Sequence, residues 1–437
     1  MLKRRIEERI LNWKQKHSDV ALVVAGARQV GKTHTLTHFI ESTYHNAVSV
    51  DLVADPKLAS ALNQAGTAQE MMALLTAAGG VHLVPGESVI FVDEVQQAPN
   101  IMTQIKYLVQ EYPYDFILSG SLLGVELENI ASIPVGYVHT LYMYPLDFEE
   151  FCWANGIASS TSAIVKEAIE AEKPIPHYIH EKLVGLFKTY LVVGGMPAVV
   201  DSYVEKTDIQ AVRTIQKDIV AQYRADISKY APRDRHLAIR NIYDLIPSEL
   251  AKESRRFRIN SIDGVKRFSS IADEFLWLTA AGVAISIPQV TAPVSPLVMQ
   301  QTRGKFKFFS SDVGLLSSVF SDRVTLDILS TGSTNLGGLY ENFVAQELIA
   351  HGRNPFYFSK RKVGELDFLV EEPGGGDLIA LEVKSGAGYL THRALDNALA
   401  TKGYGIDRAV VVGPTGVEVE RRISYLPIYA VSWLPIS

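Results

Sequence analysis

The stretch Val20-Ala-Leu-Val-Val-Ala25-Gly26-Ala27-Arg28-Gln29-Val30-Gly31-Lys32-Thr33 decides the fold of this chain. Six apolar residues that end at a glycine read as a buried strand, and helical spacing resumes over residues 33–42. Gly26, four intervening residues and then Gly31-Lys32-Thr33 match the phosphate-binding loop pattern. Glycines let backbone N–H groups curl around phosphates at a helix N-terminus, the lysine reaches the β and γ oxygens, and the hydroxyl can ligate magnesium. Gly26, Ala27, Arg28, Gln29, Val30, Gly31, Lys32 and Thr33 are therefore the expected nucleotide ligands, with Lys32 also serving catalysis.

Further apolar runs lie at residues 47–52, 88–92, 115–119 and 138–142, with helical stretches such as 102–111 between them. That alternation predicts an α/β unit with a parallel P-loop NTPase sheet. The run Val89-Ile-Phe-Val-Asp93-Glu94 ends in two acids. At the C-terminal edge of a strand, Asp93 could hold magnesium through water beside Thr33, and Glu94 could orient a water for attack on a γ-phosphate. In Phe116-Ile-Leu-Ser119-Gly-Ser121, Ser119 reads either as a γ-phosphate sensor or as an ordinary turn hydroxyl. ATP and Mg2+ are the expected cofactors, and hydrolysis of the phosphoanhydride the expected reaction.

The chain of 437 residues is 47% apolar and 21% charged, which excludes bulk disorder and suggests about three domains. Its 42 Lys and Arg against 48 Asp and Glu exclude coating of nucleic acid by bulk positive charge but leave room for a local basic face. A single cysteine, Cys152, rules out an intrachain disulfide and a multi-cysteine zinc site, and favours a reducing, cytoplasmic setting. Between Phe151 and Trp153 it reads as a core thiol. The first ten residues mix acids with bases and hold no apolar signal segment, and no apolar run approaches ~18 residues, so no membrane partner is expected. His34 and His38 have zinc-compatible spacing without a third ligand, and read as a helix face.

The expected domains are residues 1–155, 156–330 and 331–437. The middle is helical, with apolar positions at Leu183, Leu186, Phe187, Tyr190 and Leu191. Residues 252–267 carry six bases against two acids; a helix over 270–281, a Pro-rich stretch over 287–296 and Lys305-Phe-Lys-Phe-Phe309 would then suit a winged helix. Such a basic segment can neutralise DNA phosphates, contact a protein, or be a solvated face. The tail returns to α/β after Gly332-Ser-Thr-Asn-Leu-Gly-Gly338, with a helix over 339–350 and strands near 355–358, 364–370, 378–383 and 408–412. A Gly-rich turn over 371–377 would bring Asp367 opposite Glu382 and Lys384, which strand period two places on one face, and the helix bearing Glu341 can lie over them. Two or three carboxylates can hold a magnesium that activates water on a phosphodiester, with a lysine steadying the developing charge; the same residues can equally form a surface pair. Arg353, Lys360, Arg361 and Lys362 would suit a phosphate backbone or a solvated loop.

The loop at 26–33, Phe91-Val-Asp-Glu-Val-Gln-Gln-Ala-Pro99, Leu118-Ser-Gly-Ser-Leu-Leu123, Tyr144-Pro-Leu-Asp-Phe-Glu-Glu-Phe151, Gly194-Gly-Met-Pro197, Tyr223-Arg-Ala-Asp-Ile-Ser-Lys-Tyr230, Ile246-Pro-Ser-Glu-Leu250 and Gly338-Leu-Tyr-Glu-Asn-Phe343 occur in that order. Together they resemble the prokaryotic AAA-type ATPases that carry a C-terminal domain of unknown function numbered 4143. The resemblance spans nearly the whole chain. It implies an ATPase module, a helical and winged-helix middle, and a small α/β restriction-endonuclease-like tail with Asp367, Glu382 and Lys384 in its acid, acid and lysine slots. Many relatives have Gly-Arg before the last strand of the ATPase module, where this chain has Gly136-Tyr137. Arg224 and Arg240 are substitutes for that arginine, from a neighbouring subunit, or residues of a solvated helix face. The expected function is ATP hydrolysis that controls a winged-helix and nuclease-like module acting on DNA or a partner, whether another copy or an unknown protein. The alternative is a nucleotide-gated switch or adaptor without nuclease activity.

Overall fold

The computed structural model describes residues 2–16, 19–121, 136–262, 265, 267–330, 336–372, 377–386, 388–420 and 422–434. Two compact units emerge. One comprises Lys3–Tyr144 with Ala280–Gly282, the other Pro145–Thr279 with Val283–Ser437.

The first unit is built on β1 (Ala21–Ala25), β2 (Asn46–Asp51), β3 (Ser88–Asp93), β4 (Asp115–Gly120) and β5 (Val138–Tyr142). All four pairings are parallel, in the order β2-β3-β4-β1-β5. β1 and β3 are buried along their whole length, because helices cover both faces of a parallel sheet. Among those helices, Pro56–Gln64 and Ala68–Gly79 start on Asp55 and Thr67, whose side chains accept from the backbone N–H of Leu58 and Glu70. The strand order puts β4 between β1 and β3. The loop leaving β1 and the acids ending β3 therefore flank the end of β4, where Ser119 stands.

The second unit opens with helices Phe148–Ala154, Ser159–Glu170, His177–Val193, Pro197–Lys206, Ile209–Tyr230 and His236–Leu250. An eight-stranded mixed sheet follows, made of β6 (Ala284–Val290), β7 (Gln301–Ser310), β8 (Phe356–Lys360), β9 (Gly364–Glu371), β10 (Leu378–Val383), β11 (Arg408–Gly413), β12 (Glu418–Glu420) and β13 (Ile423–Pro427), ordered β12-β13-β11-β10-β9-β8-β6-β7. The hairpin expected as a wing forms as β6 and β7, but β6 also pairs with β8, Gln289 with Tyr357 and Val290 with Phe358. It is thus an edge of the tail's sheet, and strands from either side of residue 330 share one layer. The Pro-rich reading hid β6, whose register on β7 shifts between Pro288 and Val290, beside the residue that has no N–H to give. Of the two Gly-rich connections, residues 331–335 and 373–376 lie outside the described residues.

The helix Gly337–Ala350 is buried nearly all round, as a helix without a polar face must be, and so it carries Glu341 and Glu347 inside with it. Phe148 and Phe187, from the helices that open this unit, meet Phe343 of this helix edge to face, with centroids 6.1 and 4.9 Å away. Phe148 also packs on Tyr429 and Trp433 near the C-terminus. Cys152 lies in this core, and burial pushes its thiol well above the usual range, as expected of an inert thiol. Among the described residues no helix is long and apolar enough to cross a membrane.

Candidate functional site

The phosphate-binding loop closes the C-terminal end of β1. Gly31 has φ 94°, a left-handed conformation that starts the helix Lys32–Thr43 without a Cβ penalty. Gly26 is fixed by proximity instead: a Cβ there would stand 2.2 Å from the Met143 carbonyl oxygen. Lys32 is buried and donates to the carbonyl oxygens of Gly26 at 3.0 Å and Ala27 at 2.9 Å. Burial lowers its pKa to about 8, against the pull of Glu94 and Asp93. Arg4 clamps the loop from outside the motif, donating to Val30 O at 2.9 Å and Tyr144 O at 2.7 Å.

Thr33, Ser119 and Asp93 converge. The Thr33 hydroxyl donates to Asp93 Oδ2 at 2.6 Å, the Ser119 hydroxyl donates to Asp93 Oδ1, and the Glu94 N–H reaches Oδ1 at 3.0 Å. All of these donors are neutral, so the carboxylate keeps its charge for a cation. Glu94 sits at φ 55°, an unusual conformation for a residue with a Cβ. Its Oε2 accepts from the Ser121 N–H at 3.2 Å, from the Ser121 hydroxyl at 2.9 Å and from the Gln96 amide.

The tail acids also come together. Asp367 on β9 and Glu382 on β10 are neighbours across the antiparallel pair, and the Val383 N–H donates to Asp367 Oδ2 at 3.0 Å. Lys384 bonds Glu382 Oε1 at 2.8 Å. At the centre lies Lys307 of β7, fully buried, with its ammonium 3.0 Å from Glu341, 3.1 Å from Glu365 and 3.2 Å from Asp367. Arg255 bonds Glu341, and Arg256 forks onto Glu365 Oε2 at 2.6 and 2.9 Å. Burial alone would depress Lys307, but the carboxylates of Glu341, Asp367 and Glu365 outweigh it and hold it above its ordinary range. Burial, and then repulsion from Asp367, pushes Glu341 up to about 7 and Glu382 up to about 8. The open cavity over this cluster has a volume of about 630 Å³ and is lined by Arg256, Arg258, Asp367, Glu382 and Lys384 among others. Among the described residues, the ligand atoms of three acids or histidines come within 4.8 Å of one another only at Asp147, Glu347 and His351. Both Glu347 oxygens there already accept, from the Phe148 N–H and the Ser432 hydroxyl.

Comparison with protein families matches residues 18–152 to an AAA domain, 184–325 to a domain of unknown function (DUF8612) and 336–431 to a domain of unknown function (DUF4143). The chain carries an AAA P-loop domain and a C-terminal DUF4143 domain. Similar solved structures include the Walker-type ATPase PABY2304 of Pyrococcus abyssi, at 12% identity and TM-score 0.44 over 73% of this chain and 95% of that one. The RuvB Holliday junction branch migration motor of Thermotoga maritima is another, at 14% identity and TM-score 0.29 over 66% and 90%. PCH-2 of C. elegans matches at 14% and 0.27 over 47% and 60%. No curated protein matches the chain.

In the AAA domain, Thr33, Ser119 and the Glu94 N–H meet on Asp93, while Lys32 bonds the carbonyls of its own loop. Arg4, Gln96 and Ser121 were missed; a single arginine ahead of the first helix, a glutamine in the 3-10 turn Val95–Gln97 and a serine just past β4 carry no periodic signal. In the DUF4143 domain Glu341, Asp367, Glu382 and Lys384 assemble, but Lys307, Arg255 and Arg256 enter from the DUF8612 segment. Of the basic run read as a DNA, partner or solvated face, Lys252 bonds Glu249 and Ser261 and Arg255 and Arg256 bond tail acids, while Arg258 and Arg267 are exposed. Arg224 lies on Asp244 at 2.7 Å, with Arg240 at 3.8 Å, in the manner of helix-face pairs.

Proposed function

We propose that the AAA domain binds ATP with Mg2+ and hydrolyses it, and that its nucleotide state governs what the rest of the chain contacts in the cytoplasm. The convergence of the Thr33 and Ser119 hydroxyls on Asp93, at the mouth of a phosphate-binding loop, carries this reading. Thr33 and Asp93 offer hard oxygen donors of the kind magnesium takes, and they would hold it. The ion would neutralise charge between the β- and γ-phosphates. The Lys32 ammonium already points into the loop, so gripping a phosphate means exchanging the Gly26 and Ala27 carbonyls for phosphate oxygens. Glu94 orients the attacking water once it leaves Ser121 and Gln96, and Ser119 reports the γ-phosphate through Asp93. Purified protein should bind a fluorescent ATP analogue and release phosphate. Glu94→Gln should keep the binding and lose turnover by about 10²-fold or more; unchanged turnover in that variant would refute the assignment.

For the tail, the nuclease-like reading rests on Asp367, Glu382 and Lys384 sharing one cavity. A module that contacts DNA or a protein without cutting is favoured by a separate observation, the cation Lys307 inside the acid cluster. Labelled DNA incubated with the protein, ATP and Mg2+ separates them: cleavage lost in Glu382→Ala and Lys384→Ala would restore the nuclease.

A further inference from the structure

A carboxylate metal site needs acids whose oxygens converge on one ion and whose charge is not already answered by protein cations. The four acids of the tail cluster own eight carboxylate oxygens, and seven have protein partners. Lys307 takes Glu341 Oε2, Glu365 Oε1 and Asp367 Oδ1. Arg255 takes Glu341 Oε1, Arg256 takes Glu365 Oε2, the Val383 N–H takes Asp367 Oδ2, and Lys384 takes Glu382 Oε1. Only Glu382 Oε2 is buried without a partner. Six of those seven partners are cations, and the acids do not bring three ligand atoms within 4.8 Å of one another. Nor is Lys307 a side chain that swings aside, since it is fully buried and its ammonium lies 5.5 and 5.8 Å from the ring centroids of Tyr357 and Phe368, where cation–π attraction adds to the ion pairs.

The residues present therefore do not fit the divalent ion that a nuclease-like fold implies. We infer that Lys307 supplies, from within the chain, the positive charge that a metal would otherwise bring, so that the tail cavity takes no divalent ion and is not a metal-dependent hydrolytic centre. The inference rests on the nuclease-like reading of the tail and is independent of the ATP site. It also assigns Lys307 a role that no motif carries: removing its charge opens the cluster to a divalent cation.

The test is Mn2+ binding by the full chain without nucleotide, followed by electron paramagnetic resonance, with DNA cleavage measured alongside. Wild-type protein should show no Mn2+ signal that depends on Asp367 and no cleavage in Mg2+ or Mn2+. Lys307→Met should gain a site at least about tenfold tighter than any in the wild type, and Lys307→Met/Asp367→Asn should lose it again. Mn2+ binding or DNA cleavage by the wild type that Asp367→Asn abolishes would overturn the inference and leave the nuclease reading standing. A folded Lys307→Met that gains no site would overturn it from the other side, reducing the acids to a structural ion network. If Lys307→Met does not fold, the wild-type comparison with Asp367→Asn still decides.

Discussion

Two clusters of acids in this chain are satisfied in opposite ways. Asp93 is held by hydroxyls and a backbone N–H, all neutral, with Lys32 turned to the loop carbonyls. Glu341, Glu365 and Asp367 are held by a buried ammonium and two guanidinium groups. The first arrangement orients a negative charge without cancelling it, which is what a site awaiting a cation and a polyphosphate requires. The second cancels the charge internally. Similar residue types thus give one centre open to an ion and one already closed.

The comparison breaks most visibly at its two lysines. Lys32→Ala should abolish nucleotide binding in a fluorescent titration while leaving the melting temperature near that of the wild type, because this lysine serves a ligand. Lys307→Met should do the reverse: nucleotide binding stays, and urea unfolding loses about 3–5 kcal/mol because buried carboxylates are left uncompensated. Equal stability losses in both variants would erase the distinction. Ser119→Ala removes one neutral donor from Asp93 and should cost about 1 kcal/mol of stability, with turnover falling about tenfold. The smallest effect is on pH. Lys32 is held at about 8, so its charge is present below that value and lost as pH rises through it. ATP affinity should fall by about fourfold from pH 7 to pH 8.5, and calorimetry in buffers of different ionisation heat should show proton uptake on binding at the higher pH. A flat profile would mean that Lys32 stays charged throughout.

What the sequence made legible tracks how local the information is. The loop at 26–33 and the acids at 93–94 are contiguous signals, and the strands that bear them alternate with helices at regular intervals, so the parallel sheet and the meeting of Thr33 with Asp93 could both be read directly. The tail hairpin carrying Asp367, Glu382 and Lys384 was readable for the same reason. Lys307 was not, because its partners lie 34 to 60 residues further along, and Arg255 finds Glu341 at a separation of 86. One local hint existed: Lys307 stands between Phe306 and Phe308, on the half of β7 that is buried. A lysine in an aromatic, fully buried run demands a counter-charge, but only the fold says which acid supplies it. The pairing of β6 with β8 was not legible for a related reason, since a hairpin's own residues do not reveal that a strand from the tail will pair with its free edge.

That shared edge has a consequence for how the chain can be cut. A fragment beginning at residue 331 would leave β8 with an unpaired side and three carboxylates facing no ammonium. Such a piece is expected to aggregate through the open strand or to fail to fold. The segment matched as the tail domain, residues 336–431, is shorter than the sheet that its strands complete.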